Sequence, residues 1–363
     1  MSNWLFVALL HNLSIQEPVE NGYVAIVPDT DYRAKSLTET SQARRLLVNG
    51  FTDQFGRSVS PSLMIVNSKA PKRLFTQDAL IGFRNAIAIC SITKAWEEDL
   101  VRKVSLNILK YSNYFDIYPI SVGKDGETMI IRSPSILGMD EPEEFVGQTS
   151  PELASNNCVT SFYDAELLRA ILLVWEDRFL RRGYKNCRSR VLFRSLEMAY
   201  HASTIPFKNS STIYDYGANI ALWISAFEVL ASSKTKQIEL SDVLDLLGKS
   251  KLYSSKLNQK IYTINFSQKT KKRGSLPKKL YHMLHSARND FLHGNPVEIR
   301  NVFIKSSDKY HPLTSAAPIL YKLALRSFLD IPILANLADY DMTGYANVRN
   351  FENAIDALIR KRP

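Results

Sequence analysis

The feature that most constrains this chain is the spacing of its apolar residues beyond residue 160. From Asp164 onward Leu167, Leu168, Ile171, Leu172, Trp175 and Phe179 return every three or four positions, the period at which side chains share one face of an α-helix. An acidic residue stands near the start of this stretch and Arg181 and Arg182 near its end, where charges of those signs suit the helix dipole. The same periodicity predicts helices over 188–202, from 211 or 212 to about 232, and over 241–247, 277–293, 316–337 and 348–360, the fifth interrupted near Pro332. An all-α bundle is therefore the expectation for residues 158–363.

The first 150 residues read differently. Short apolar or β-branched runs bounded by turn residues predict strands over 4–10, 23–27, 62–66 and 128–132. Between them Phe83, Ala86, Ile87, Cys90 and Ala95 or Trp96 recur at helical spacing and predict a helix over 78–101. A chain of 363 residues is long for one core. The fold class expected is α+β: an N-terminal mixed domain over 1–150, then the helical bundle. The acidic, turn-rich stretch 138–157, GMDEPEEFVGQTSPELASNN, is the candidate linker.

Charge divides at the same place. Residues 1–150 carry 15 Lys plus Arg against 17 Asp plus Glu, a net of −2, and residues 151–363 carry 31 against 19, a net of +12. A basic domain joined to a near-neutral one points to a polyanionic partner. Trp4 to Leu10 is apolar, but no basic residue precedes it and no small-residue cleavage site follows, so it is read as a strand and not a signal peptide. No run approaches the roughly 20 apolar residues that span a bilayer. Cys90, Cys158 and Cys187 are far apart and odd in number, which argues against a disulfide framework or a zinc ribbon and favours a reducing cytoplasm.

The segment HSARNDFLHGNP carries the chemistry. On a helical wheel Leu280, Leu284, Ala287 and Phe291 form one apolar stripe, while His282, His285, Asn289 and His293 share a polar face and Arg288 lies at its flank. Gly294 and Pro296 end the helix, leaving His293 on its last turn. A histidine that exchanges a proton near neutrality, an arginine to hold a phosphate and an amide to orient one of them form a minimal metal-free set for cleaving RNA through its own 2′-hydroxyl. His282, His285 and His293 cannot all reach one zinc ion from a single helix, so no metal or cofactor is expected. GxSxG, Walker A and dinucleotide-binding glycine patterns are missing from the sequence.

The run from Arg288 to His293, R-N-D-F-L-H, resembles the R-x4-H signature of the HEPN superfamily, including its polar residue directly after the Arg. With the earlier helix reading SAFEVLASS around Glu228 and the ending ARNDFLHGNPV, residues 160–340 resemble the Apea-like HEPN group of prokaryotic defence proteins. The resemblance implies a metal-independent endoribonuclease acting as a homodimer, the motifs of two protomers facing one cleft. It implies Arg288 and His293 as catalytic and Asn289 as the residue that orients them, with Glu228 and His285 in support. The family also contains non-catalytic modules that bind RNA, a nucleotide or a protein, and that reading stays open. A cytoplasmic anti-phage or toxin-like role, with a protein or phage-derived trigger at the N-terminal domain, belongs to the same implication.

From Leu246 to Asn289 there are eleven Lys or Arg residues and no Asp or Glu. Lys269, Lys271, Lys272, Arg273, Lys278 and Lys279 are the candidate RNA-binding residues, with 269–275 read as a loop. Tyr253, Tyr262, Phe266 and Tyr281 are interleaved as candidate base-stacking rings. A second basic set, Arg178, Arg181, Arg182, Lys185, Arg188, Arg190 and Arg194, reads either as the opposite side of the cleft or as an exposed helix end and turn.

Overall fold

The computed structural model describes residues 3–102, 109–123, 125–131, 146–150, 153, 162–181, 187–204, 212–232, 238–265, 270–305, 310–331, 349–350, 352–357 and 359. The fold is α+β, and the chain divides into two compact units. One comprises Met1–Arg84 with Tyr111–Phe162, the other Asn85–Lys110 with Tyr163–Pro363. The division is not a single cut in the chain, because a segment near residue 100 joins the second unit. Most of the expected linker, 138–157, lies outside the described residues. No helix among the described residues is long and apolar enough to cross a membrane.

In the first unit the chain runs β1 (Trp4–Leu10), β2 (Val19–Glu20), β3 (Val24–Val27), α1 (Tyr32–Glu39), α2 (Gln42–Asn49), β4 (Phe51–Thr52) and β5 (Ser62–Asn67). The long helix α3 (Gln77–Arg102) follows, its residues from Asn85 onward belonging to the second unit, and the first unit resumes with β6 (Ile120–Val122), β7 (Met129–Ile131) and β8 (Gly147–Gln148). The main sheet has the antiparallel order β1-β5-β3-β2. Strand side chains alternate between faces, so Leu9, Ala25, Val27, Leu63 and Ile65 meet Ala34, Leu37, Ala43, Leu47 and Val48 of α1 and α2 on one side. Leu10, Val24, Ile26, Met64 and Val66 on the other side are buried too. Burial on both faces is why these strands read as unbroken apolar runs.

The second unit holds α4 (Ala165–Phe179), α5 (Cys187–Ala202), α6 (Ile213–Ala231), α7 (Leu240–Gly248) and α8 (Ser255–Gln259). Then come β9 (Tyr262–Asn265), β10 (Lys271–Gly274), α9 (Leu276–Leu292), α10 (Ile299–Val302), β11 (Phe303–Lys305), β12 (Tyr310–Pro312) and α11 (Leu313–Phe328). Helices α5, α6, α9 and α11 pack around an aromatic centre. Phe227 meets Tyr281 at 5.1 Å and Tyr321 at 5.4 Å between ring centroids, and Trp223 meets Tyr321 at 5.6 Å. Helix α6 starts at a capping box in which Thr212 and Asp215 satisfy each other's backbone N–H groups.

Three expectations need correction. The second unit is not all helix, since β9–β10 and β11–β12 form two antiparallel hairpins. Residues 271–274 are a strand and not a loop: Tyr262 and Ile264 are buried and anchor β9, which pairs residue by residue with β10. The last long helix begins at Leu313 and ends at Phe328. Asp330 takes a positive φ of 55°, and a residue before proline is turned away from the helical region, so the chain leaves the helix before Pro332 is reached. Of the expected helix over 348–360, residues 349–350, 352–357 and 359 are described and are helical.

Candidate functional site

Helix α9 carries the candidate residues. Ser275 stands at its N-cap with Pro277 in the first turn, where a missing N–H costs no helical bond. Leu280, Leu284 and Ala287 are buried as the stripe requires, and Tyr281 and Met283 widen the buried face. Phe291, half-buried, lies over Gly217 of α6, where a Cβ would come within 2.3 Å of the ring. Only a residue without a side chain admits that approach, and it draws α6 against α9 so that Glu228 faces Arg288.

Arg288 is the hub of the polar cluster. Its Nη2 donates to Glu228 Oε1 at 2.5 Å and its Nη1 to Asn289 Oδ1 at 3.1 Å. The Arg288 side chain is 21% exposed and that of Glu228 30%, so the pair is neither dry nor fully solvated. Asn289 Nδ2 reaches His285 Nδ1 at 3.4 Å. Burial, then the charge of Arg288 and then His282, push the His285 imidazole down to about 4. His285 is therefore neutral near pH 7, so its Nδ1 can accept from Asn289. Beneath the cluster lies the Tyr281 hydroxyl, buried and with no hydrogen-bond partner among the described residues. Burial and the Glu228 carboxylate raise its pKa against the opposing pull of Arg288, which keeps it a protonated donor.

His293 stands apart from this chain of contacts. It is the C-cap of α9 and its ring is exposed, while its backbone N–H donates to the Asn289 carbonyl at 2.9 Å. Gly294 follows with φ 68°, and Asn295 N–H returns to the Asp290 carbonyl at 3.0 Å, the long bond of a Schellman ending. Asp290, which the sequence reading passed over, secures this turn: it accepts from Asn295 Nδ2 at 3.2 Å and from Asn301 Nδ2 at 3.3 Å. The signal was present in the sequence as an Asp five residues before an Asn that follows a helix-ending Gly. The structure thus joins Glu228, Arg288, Asn289 and His285, and leaves His293 at the adjoining helix end.

The basic residues differ in exposure and in the contacts they make. Lys271, Lys272 and Arg273 are exposed along β10. Lys278 lies 3.5 Å from Asp245, and Lys279 Nζ donates to the Thr263 carbonyl at 2.9 Å. Lys269 lies outside the described residues. Two of the expected stacking rings are unsuited to that role: Tyr281 is fully buried in the helical core, and Tyr262 is buried with its hydroxyl donating to Asp356. Tyr253 is half-buried, its backbone N–H held by Glu352 at 2.5 Å, and Phe266 lies outside the described residues.

Much of the second basic set serves the fold. Arg178 lies over the rings of Phe179 and Phe193 and donates to the Ser189 carbonyl. Arg181 pairs with Asp177 at 2.9 Å, and Arg188 with Asp330 at 2.8 Å. Arg190 and Arg194 are exposed, whereas residues 182 and 185 lie outside the described residues. Among the described residues no group of three His, Cys, Asp or Glu side chains is arranged to hold a metal ion. No protein-family model, curated protein or solved structure matches this chain.

Proposed function

We propose that the chain is a metal-independent endoribonuclease of the HEPN type, its helical residues forming the HEPN-like domain and working as a homodimer. The observation that carries this reading is the Glu228–Arg288–Asn289 chain of contacts beside the exposed His293. Arg has five N–H donors, and the two contacts use one on each terminal nitrogen, so three remain to hold a scissile phosphate. A His293 imidazole takes the 2′-hydroxyl proton as the 2′-oxygen bonds to phosphorus. The phosphorus–5′-oxygen bond breaks, and the imidazolium of the second protomer's motif protonates the leaving oxygen. The products are a 2′,3′-cyclic phosphate and a 5′-hydroxyl end. Arg288 stabilises charge on the phosphoryl oxygens, and Asn289 orients Arg288. The exposed cations of β10 supply the sequence-independent attraction. Cytoplasmic anti-phage defence, triggered by a protein or phage-derived ligand at the first unit, is the biological setting that this reading extends to.

One observation favours a second reading, a non-catalytic HEPN module that retains RNA, a nucleotide or a protein partner. The Glu228 carboxylate already neutralises the guanidinium that must meet the phosphate. The deciding assay is cleavage of a mixed RNA pool in EDTA by the wild type, Arg288→Ala and His293→Ala. The ribonuclease reading expects cyclic-phosphate ends and a loss of about 10²–10⁴-fold in either variant, the range for a general acid–base group. RNA retained but uncut by the wild type selects the second reading, and cleavage that disappears on chelation sinks the metal-free mechanism.

A further inference from the structure

A cavity of about 240 Å³ opens on the flank of α9 away from Arg288. Its floor is apolar, made by the buried Met283 and Ala287, and its α9 wall is polar, made by Lys279, His282, Ser286 and Asp290. Asn265, at the end of β9, and Asn301 of α10 face that wall. Pockets for drug-sized molecules hold roughly 300–1,000 Å³, so this one suits a single ring system.

The lining also selects the charge of the occupant. Burial, and then the charge of Lys279, lower the His282 pKa, which leaves a neutral ring with one donor and one acceptor nitrogen. Lys279 already donates to the Thr263 carbonyl. Each Asp290 oxygen accepts one amide N–H, and a carboxylate has about four lone-pair sites, so acceptor capacity remains. An anion entering here would meet that carboxylate; a flat neutral molecule with polar edges would meet donors and acceptors around an apolar floor.

Asn265 is the cross-strand partner of Lys271, and directly opposed residues of an antiparallel pair project to the same face of the sheet. A cation exposed on β10 therefore stands beside the cavity wall, with Lys272 and Arg273 following it along the strand. We propose that the cavity receives one nucleobase of a single-stranded RNA whose phosphates follow β10, and so gives the chain a base preference at one position. This rests on the RNA reading above. Asp290 favours a base whose edge donates hydrogen bonds, and the cavity takes over the recognition that the buried Tyr262 and Tyr281 cannot provide.

The test uses the full chain and short labelled ribose–phosphate strands that are abasic throughout or bear a single A, C, G or U, with binding read by fluorescence anisotropy. The wild type is expected to hold at least one base-bearing strand about tenfold more tightly than the abasic strand, the worth of a hydrogen bond to a charged group. Ser286→Leu fills the cavity from its rim and Asn265→Leu from the exposed hairpin, and each is expected to bring the strands to equal affinity. Ser286→Ala, which leaves the space open, is expected to keep the preference. Lys271→Glu with Arg273→Glu should weaken all strands alike. Equal binding of abasic and base-bearing strands by the wild type, or a preference that survives both leucine variants, overturns the base pocket while leaving phosphate binding in place. Failure of the wild type to hold any strand, abasic included, overturns the RNA reading and the pocket with it.

Discussion

His285 and His293 lie eight positions apart at the end of one helix, yet their surroundings assign them different chemistry. His285 is half-buried on the flank where Arg288 and Asn289 meet, and burial, Arg288 and His282 hold its pKa at about 4 against an ordinary value of 6.5. Its protonation is disfavoured in the folded chain, so its contribution to stability is complete above pH 6.5 and is lost as pH falls through about 4. An imidazole that stays neutral at pH 7 can accept and orient, while the exposed His293 is the imidazole that the proposed mechanism places at the 2′-hydroxyl. Arg288→Ala removes a neighbouring positive charge and is expected to move the His285 midpoint upward from about 4, followed through its ring-proton NMR shifts. A midpoint that does not move would show that Arg288 does not contribute to it. The sequence placed these residues on one helix. The glycine stop also placed His293 at the helix end, but polarity alone did not reveal that His285 would be half-covered, because burial depends on elements distant in sequence.

At the scale of elements, the meeting of α6 and α9 turns on Gly217. Replacing glycine by alanine within a helix ordinarily gains about 1 kcal/mol. Here the added methyl would stand 2.3–2.6 Å from three ring atoms of Phe291, and overpacking a filled contact costs about 1–3 kcal/mol. Gly217→Ala is therefore expected to be net destabilising in chemical denaturation and, by displacing Phe291, to loosen the Glu228–Arg288 pair. A variant more stable than the wild type would refute the close-approach argument. Helices α4, α5, α6 and α9 were legible because each carries its own apolar stripe and end signals. Helices α1 and α2 were not: they are short and rich in charged and polar residues, and the Asp31 and Ser41 side chains that cap them were the signal to read. Strand β10 was hidden for a related reason, since a run of Lys and Arg has a solvated composition and only the β9 ladder gives its backbone partners.

For the molecule as a whole, the second unit contains a charge cluster that composition does not reveal. Lys322 of α11, its side chain 13% exposed, has its Nζ 2.6 Å from Glu97 of α3 and 2.8 Å from Asp164, the N-cap of α4. Burial raises the carboxyl pKa of Asp164, but Lys322, together with the Leu167 N–H and Arg326, outweighs it and holds the group at about 2. That contribution is complete above an ordinary carboxylate value of 3.8 and is lost as pH falls through about 2. Deleting one partner of a fully buried pair costs about 3–5 kcal/mol, because the remaining charge is left without compensation; the 13–15% exposure of these side chains lowers the cost to about 1.5–3 kcal/mol, that of a hydrogen bond to a charged group. Lys322→Met is expected to destabilise the second unit by that amount, read by tryptophan fluorescence in guanidinium, since Trp96, Trp175 and Trp223 lie in this unit. A loss below about 1 kcal/mol would mean that the carboxylates reach water or other donors.

The sequence by itself determined what local periodicity and end signals control: an α+β chain, three of the four strands of the main sheet, most of the long helices, the apolar stripe and glycine stop of α9, and the acid-free basic run before it. These follow from side-chain spacing and backbone stereochemistry within a few residues of one another. Only the tertiary structure decided which charges are engaged and which rings are covered. Tyr262 and Tyr281 went into the interior, Lys278 and Lys279 found partners, Arg288 met Glu228 from sixty positions away, and the chain near residue 100 joined the second unit. Each outcome depends on desolvation and on contacts between segments remote in sequence, which no local pattern records.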